Sequence, residues 1–273
     1  LSYETLEQRI LGAISFQDAT TNVRIRRRLK VEGAAGVQVV RNRSGYYVIF
    51  SAPGFEAYTN SFSEQPVAPD PRAMAAETVA LELKVSDFRG EYLPRRCTVK
   101  LPLNPATKRP DNGQWLFDPI RIKLYPAPTA GTVPGWAIIR ATVREDGKRD
   151  RLPWALITIR RAGQPEALAT GLADHRGEAF VAVPGLPVAA ADEGAGAVMT
   201  AEIPVSLEVI FDTFLQKVRD PEDLAASLAV PAEFAPDPAI LEKGTAPRFR
   251  SSKKADTLAS GREHRIELTV NLS

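Results

Sequence analysis

The chain has 273 residues, 44% hydrophobic and 25% charged, a composition that excludes wholesale disorder and fibrous repeats. Its single cysteine, Cys97, excludes an internal disulfide and a Cys-rich zinc module, and two histidines leave little material for metal or acid–base chemistry. With 35 basic against 33 acidic residues the formal net charge is +2, which gives the chain as a whole no electrostatic case for nucleic acid.

A short helix is expected from Tyr3 to Leu11. The densest basic run follows: Arg24, Arg26, Arg27, Arg28 and Lys30, interleaved with Val23, Ile25, Leu29 and Val31. That interleaving reads as the solvated face of a strand in preference to a grip on phosphate. Arg43-Ser44-Gly45-Tyr46 turns a hairpin between Val37–Val40 and Tyr46–Phe50, with glycine supplying the positive φ. Proline clusters at 65–71, 101–111 and 125–135 mark joints, since proline cannot sit inside a sheet. Between them, Val79, Leu81, Leu83 and Val85 alternate with small or polar residues, the period of a strand with one buried face. Asp111-Asn112-Gly113 reads as a tight turn, because it lacks the remaining acids of a calcium loop. Trp115, Phe117 and Tyr125 read as the cover of a seam between two domains or as an exposed docking strip.

Four further segments alternate: 137–143, 155–159, 203–211 and 266–272. In the second, Ile157 and Ile159 are expected inside, with Thr158 and Arg160 outside. Asp174-His175-Arg176-Gly177-Glu178 reads as a hairpin turn, its Asp bonding backbone amides, in preference to a metal or acid–base site. Asp220-Pro221-Glu222-Asp223 opens a helix of about two turns that Pro231 ends. No run approaches the roughly 18 apolar residues of a membrane helix.

The segment 136–185 combines an alternating strand, the Glu145–Lys148 turn, Leu152–Ile159, Thr170 ahead of Asp174-x-x-Gly177, and a strand ending at Pro184-Gly185. It resembles the carboxypeptidase regulatory-like family, whose fold is a transthyretin-like seven-stranded sandwich. Ala155 matches that family's small residue after the second turn; the family's common Tyr after the final glycine is absent. Residues 10–104 read as a diverged second copy, through the turn at Asn42–Gly45 and the corner at Ala52-Pro53-Gly54. The resemblance implies a non-catalytic module for adhesion, assembly or support.

The expected architecture is all-β: two tandem immunoglobulin- or transthyretin-like β-sandwich domains with a short helix in a long C-terminal arm. The domains are 1–104 and 135–273, joined by a Pro-rich linker, 105–134, with the arm 212–263 inserted in the second. The arm is either a disordered loop or an ordered contact element, and Phe214, Leu215, Leu224, Leu228, Phe234, Arg248, Phe249, Arg250, Lys253 and Lys254 are its candidate partner-binding residues. The functional expectation is a non-enzymatic structural or assembly protein, a subunit or accessory of a larger phage-tail-like or cell-surface apparatus. A ligand- or carbohydrate-binding sandwich module is the alternative, and an unrecognised hydrolase the second alternative. No catalytic residue, metal site or cofactor is assigned. Partners are expected to be other protein subunits, with no nucleic acid, membrane insertion or small molecule; the compartment stays open between cytoplasmic and exported.

Overall fold

The computed structural model describes residues 6–8, 10–55, 60–62, 79–101, 103, 115–187, 202–215, 235–244 and 246–272, of which 6–8 and 60–62 are described by backbone alone. Nearly all the described regular structure is strand, as the alternating segments require, and the chain divides into two compact units. These are not the expected tandem blocks. Unit 1 comprises 1–17, 23–88 and 96–123, and unit 2 comprises 18–22, 89–95 and 124–273.

Unit 1 is built from β1 (Leu6–Gln8), β2 (Gly12–Asp18), β3 (Lys30–Gly33), β4 (Gln38–Arg41), β5 (Tyr47–Ser51), β6 (Asn60–Phe62), β7 (Val79–Ser86), β8 (Arg95–Leu101) and β9 (Ile120–Leu124). They form a four-stranded sheet, β4-β5-β2-β9, a three-stranded sheet, β3-β7-β8, and a β1-β6 ribbon. Leu81, Leu83 and Val85 point inward along β7, as their alternation predicts, whereas Val79, the first of that set, is exposed. Two expectations are corrected here. Leu6–Gln8 pairs antiparallel with β6, so the middle of the expected Tyr3–Leu11 helix is a strand: cross-strand pairing overrides a weak local helix preference. Part of the expected linker 105–134 is β9, a strand of the sheet, with Ile122 and Leu124 buried; its alternating Ile-Arg-Ile-Lys-Leu was hidden among prolines.

Unit 2 holds β10 (Ala137–Glu145), β11 (Leu156–Arg161), β12 (Ala167–Leu172), β13 (Glu178–Val183), β14 (Glu202–Asp212), the helix α1 (Pro238–Lys243), β15 (Phe249–Ala259) and β16 (Glu263–Val270). The sheets are β13-β10-β16 and β12-β11-β14-β15, and β10 and β16 run parallel. Ile139, Val143, Ile157, Ile159, Val205, Leu207, Val209, Phe211 and Leu268 bury against one another between them. Gly171 lets β12 approach β13: a Cβ there would stand 2.4 Å from Val181 Cγ2. Ile157 and Ile159 face this core, but Thr158, expected outside, is also buried, because β11 is an interior strand flanked by Thr170 and Glu208.

The arm 212–263 is the largest correction. Residues 249–259 pair with β14 over its whole length, from Asp212↔Phe249 to Glu202↔Ala259. The segment is a strand of the sandwich and not an insertion into it. Backbone pairing, with Leu258 and Ala259 buried at one end, holds a strand whose other side chains are mostly polar. Ser252 Oγ and Lys254 Nζ reach the β16 carbonyls of Thr269 and Glu267, occupying acceptors on that strand. The helix expected from Asp220, with Leu224 and Leu228, and Phe234 lie outside the described residues, as does Asp111-Asn112-Gly113.

Candidate functional site

The candidate site is the corner where β14 ends and β15 begins. Asp212 closes β14 with an Asx turn: its Oδ1 accepts the Phe214 amide at 3.0 Å, and its carbonyl accepts the Leu215 amide at 3.0 Å. Thr213 ties it to the turn that leads into β15, donating its amide and its hydroxyl to the Arg248 carbonyl at 3.1 and 2.9 Å. Arg248 Nε lies 3.0 Å from the other Asp212 oxygen, Oδ2. The Arg248 guanidinium also stacks between two rings, 4.8 Å from the centroid of Phe214 and 5.4 Å from that of Phe249. At an exposed site each such contact contributes about 0.5–1 kcal/mol.

The two rings are held very differently. Phe249 is half-buried and packs against the cluster of Tyr125, Trp154, Leu156, Leu172 and Leu241. Leu215 is half-buried against both that cluster and the inter-sheet core. Phe214 is 77% exposed. A large apolar ring thus stands in solvent beside a guanidinium that is itself paired with Asp212. The corner offers an aromatic face and guanidinium edges, which is the chemistry of contact and not of bond-making.

The other candidate residues divide. Arg250 Nη1 donates to the Pro247 carbonyl at 2.8 Å and stays near the corner. Lys253 reaches Glu208 at 3.6 Å, a carboxylate also bonded by Arg160, and belongs to the charged outer face of the sheet. Lys254 is spent on the Glu267 carbonyl at 3.1 Å. Leu224, Leu228 and Phe234 are outside the described residues.

Sequence reasoning missed the network that backs the corner. Asp237 caps α1, accepting the Ala239 amide at 3.1 Å and the Arg95 guanidinium at 2.5 Å, and Pro238 and Gly244 (φ 61°) bound the helix. Leu241 points into the Tyr125–Trp154 cluster. Tyr125, expected as seam cover or docking strip, is buried in unit 2 and donates to Glu242 Oε1 at 2.7 Å. Burial, and then the Glu242 carboxylate, push its phenol well above the ordinary tyrosine range. The Asp237-Pro238 pair is the same start signal that was read at Asp220-Pro221, so this helix was available from sequence.

The turn at 174–178 is as expected: Asp174 Oδ1 accepts the amides of Arg176 and Glu178 at 2.8 and 3.0 Å, and Gly177 has φ 75°. Among the described residues no group of three or more His, Cys, Asp or Glu is placed to hold a metal ion. In unit 1, Trp115 packs edge-to-face on Phe117, itself 64% exposed, and with Thr98, Lys100, Asp118 and Arg121 Trp115 lines a groove of about 440 Å³.

No protein-family model matches this chain, and no curated protein matches it. Among solved structures it has a slight similarity to the Bacillus anthracis TIE protein, at 10% identity and a TM-score of 0.23, over 96% of this chain and 34% of that one. The chain thus spans about a third of that protein's length, and a superposition of this quality does not establish a shared fold.

Proposed function

We propose that this chain is a non-catalytic structural or assembly protein, a subunit or accessory of a larger multiprotein apparatus of the phage-tail-like or cell-surface kind, and that the Phe214–Arg248–Phe249 corner contacts a neighbouring protein subunit. The observation that carries this is Phe214: a ring 77% exposed, on a backbone turn capped by Asp212 and beside the Arg248 guanidinium. Aromatic side chains and arginine are the residues enriched at protein interfaces relative to the rest of the surface. The kinship to the carboxypeptidase regulatory-like family is part of the same proposal; the three-plus-four arrangement of the seven strands of unit 2 supports it. The test is the mass of the native particle in source material, for the natural chain and for Phe214→Ser with Arg248→Ser. The natural chain is expected in a particle well above the mass of the chain alone, and the variant outside it. A natural chain that migrates free overturns the reading.

A second reading, a carbohydrate-binding module, is favoured by the Trp115–Phe117 pair beside Lys100, Asp118 and Arg121 in unit 1. Titration calorimetry against an oligosaccharide panel tests it: binding abolished by Trp115→Ala supports it, and no binding removes it.

A further inference from the structure

The whole chain carries a net charge of +2, but its charge is not evenly spread. Residues 23–55, all in unit 1, contain seven cations, Arg24, Arg26, Arg27, Arg28, Lys30, Arg41 and Arg43, and one acid, Glu32. Two of these cations are neutralised: Arg27 meets Asp87 at 2.7 Å and Lys30 meets Glu32 at 2.9 Å. The other five meet no carboxylate among the described residues. Local charge, and not the whole-chain balance, decides what a surface attracts.

The five are held in one place by contacts that leave their charge uncompensated. The segment from Val23 to Leu29 leads from the four-stranded sheet into β3 and bends at Arg27. Ile25 donates its amide to the Phe16 carbonyl at 2.9 Å, and Ile25 and Leu29 are buried. Tyr47, itself buried and edge-to-face on Phe16, accepts the Leu29 amide at 2.6 Å and donates to the Leu29 carbonyl at 3.1 Å. With Ile25, Arg27 and Leu29 engaged inward, Arg24, Arg26 and Arg28 form the outward set. The β4–β5 hairpin lies beside them: Arg41 donates to the Arg26 carbonyl at 2.6 Å, and the Arg24 guanidinium sits 4.4 Å from the centroid of Tyr46. Arg43 is exposed in the turn of that hairpin.

We infer that this row is a docking surface for an acidic segment of a partner protein. An acidic segment supplies the carboxylates that these five arginines do not meet among the described residues. Guanidinium forks suit carboxylates in pairs, and all five free cations are arginine. A nucleic acid is the weaker fit, because sequence-tolerant binding of single strands draws on aromatic platforms for the bases. Among the described residues of the row the aromatics are Tyr46, covered on one face by Arg24, and Tyr47, which is buried. This surface is in unit 1 and is independent of the Phe214 corner.

The test uses the full chain and fluorescence anisotropy at low salt. The probes are a labelled Glu/Ser peptide, a Lys/Ser peptide of the same length, a single-stranded and a duplex oligonucleotide, and vesicles of phosphatidylcholine with phosphatidylserine. The Glu/Ser peptide is expected to bind, and to bind more tightly than either oligonucleotide, and the Lys/Ser peptide is not. Arg24→Ser with Arg26→Ser and Arg28→Ser is expected to weaken Glu/Ser binding about tenfold, whereas Arg149→Ser with Arg161→Ser and Arg262→Ser, exposed arginines elsewhere, leaves it unchanged. If the first variant does not fold, Arg41→Ser with Arg43→Ser, on the hairpin, serves in its place with a loss of severalfold. Equal binding of the two peptides, tighter binding of an oligonucleotide, vesicle binding without peptide binding, or no binding at all overturns the inference.

Discussion

Two turns of unit 2 use one device to opposite ends. In each, an aspartate caps backbone amides with one carboxylate oxygen and faces an arginine with the other: Asp174 with Arg176 at 3.0 Å, Asp212 with Arg248 at 3.0 Å. At Asp174 the arginine is two residues away, so the carboxylate is satisfied within the turn, while Glu178 and the Gly177 carbonyl bond Arg151 and the Val143 amide outside it. At Asp212 the arginine comes from the turn that leads into β15, so the ion pair ties β14 to that distant turn, and an exposed ring lies on its guanidinium. A local partner makes a turn that only supports the fold; a distant partner makes a turn that supports the fold and presents something.

The comparison breaks first at Gly177. With φ 75°, and a would-be Cβ 3.1 Å from the Val143 carbonyl and 3.2 Å from the Leu152 amide, Gly177→Val is expected to cost about 2–4 kcal/mol in denaturant unfolding. An unchanged midpoint would mean the Asp174 turn is not the structure described. Next, Asp174→Ala strands two amides and is expected to cost about 2 kcal/mol, whereas Asp212→Ala strands one, at Phe214, and should cost about 1 kcal/mol. Equal costs would remove the distinction between the turns.

A smaller effect sharpens the account of what backs the corner. The Tyr125 phenol is raised in the folded chain by burial and Glu242, above its unfolded value of about 10. The folded state therefore holds that proton more tightly, and the resulting stability is complete below about pH 10 and is lost as pH rises beyond it. Urea midpoints at about pH 8 and about pH 11 should fall for the natural chain, and fall less for Tyr125→Phe. Identical declines would show that Tyr125 does not titrate as described. The smallest effect is that of Phe214→Ser on stability, expected within about 0.5 kcal/mol, since the ring is mostly in solvent.

The strands that bury one face were legible. Ala137–Val143 and Ile203–Phe211 alternate because one side of each meets the inter-sheet core. β15 was not legible for the converse reason: of its eleven residues only Leu258 and Ala259 are buried, so what makes it a strand is backbone pairing to β14, which leaves no period in the side chains. β9 did alternate, but its prolines on either side read as linker. Within the site, Phe214, Arg248 and Phe249 were named as separate members of an arm. Their assembly was hidden because it depends on the Asp212↔Phe249 register, which brings together residues more than thirty positions apart. The basic row was visible as composition and was discounted as a wet face; that five arginines lack an acid depends on where Asp87 and Glu32 fall.

The central claim is that the Phe214 corner faces another protein chain in the native assembly. Its most direct test is a photo-reactive phenylalanine analogue at position 214, with the same analogue at Leu168, a half-exposed apolar position on β12, as control. Irradiation of the intact particle is expected to give one adduct of defined mass from position 214 and none from position 168. No adduct from 214, or the same adducts from both positions, would contradict the claim.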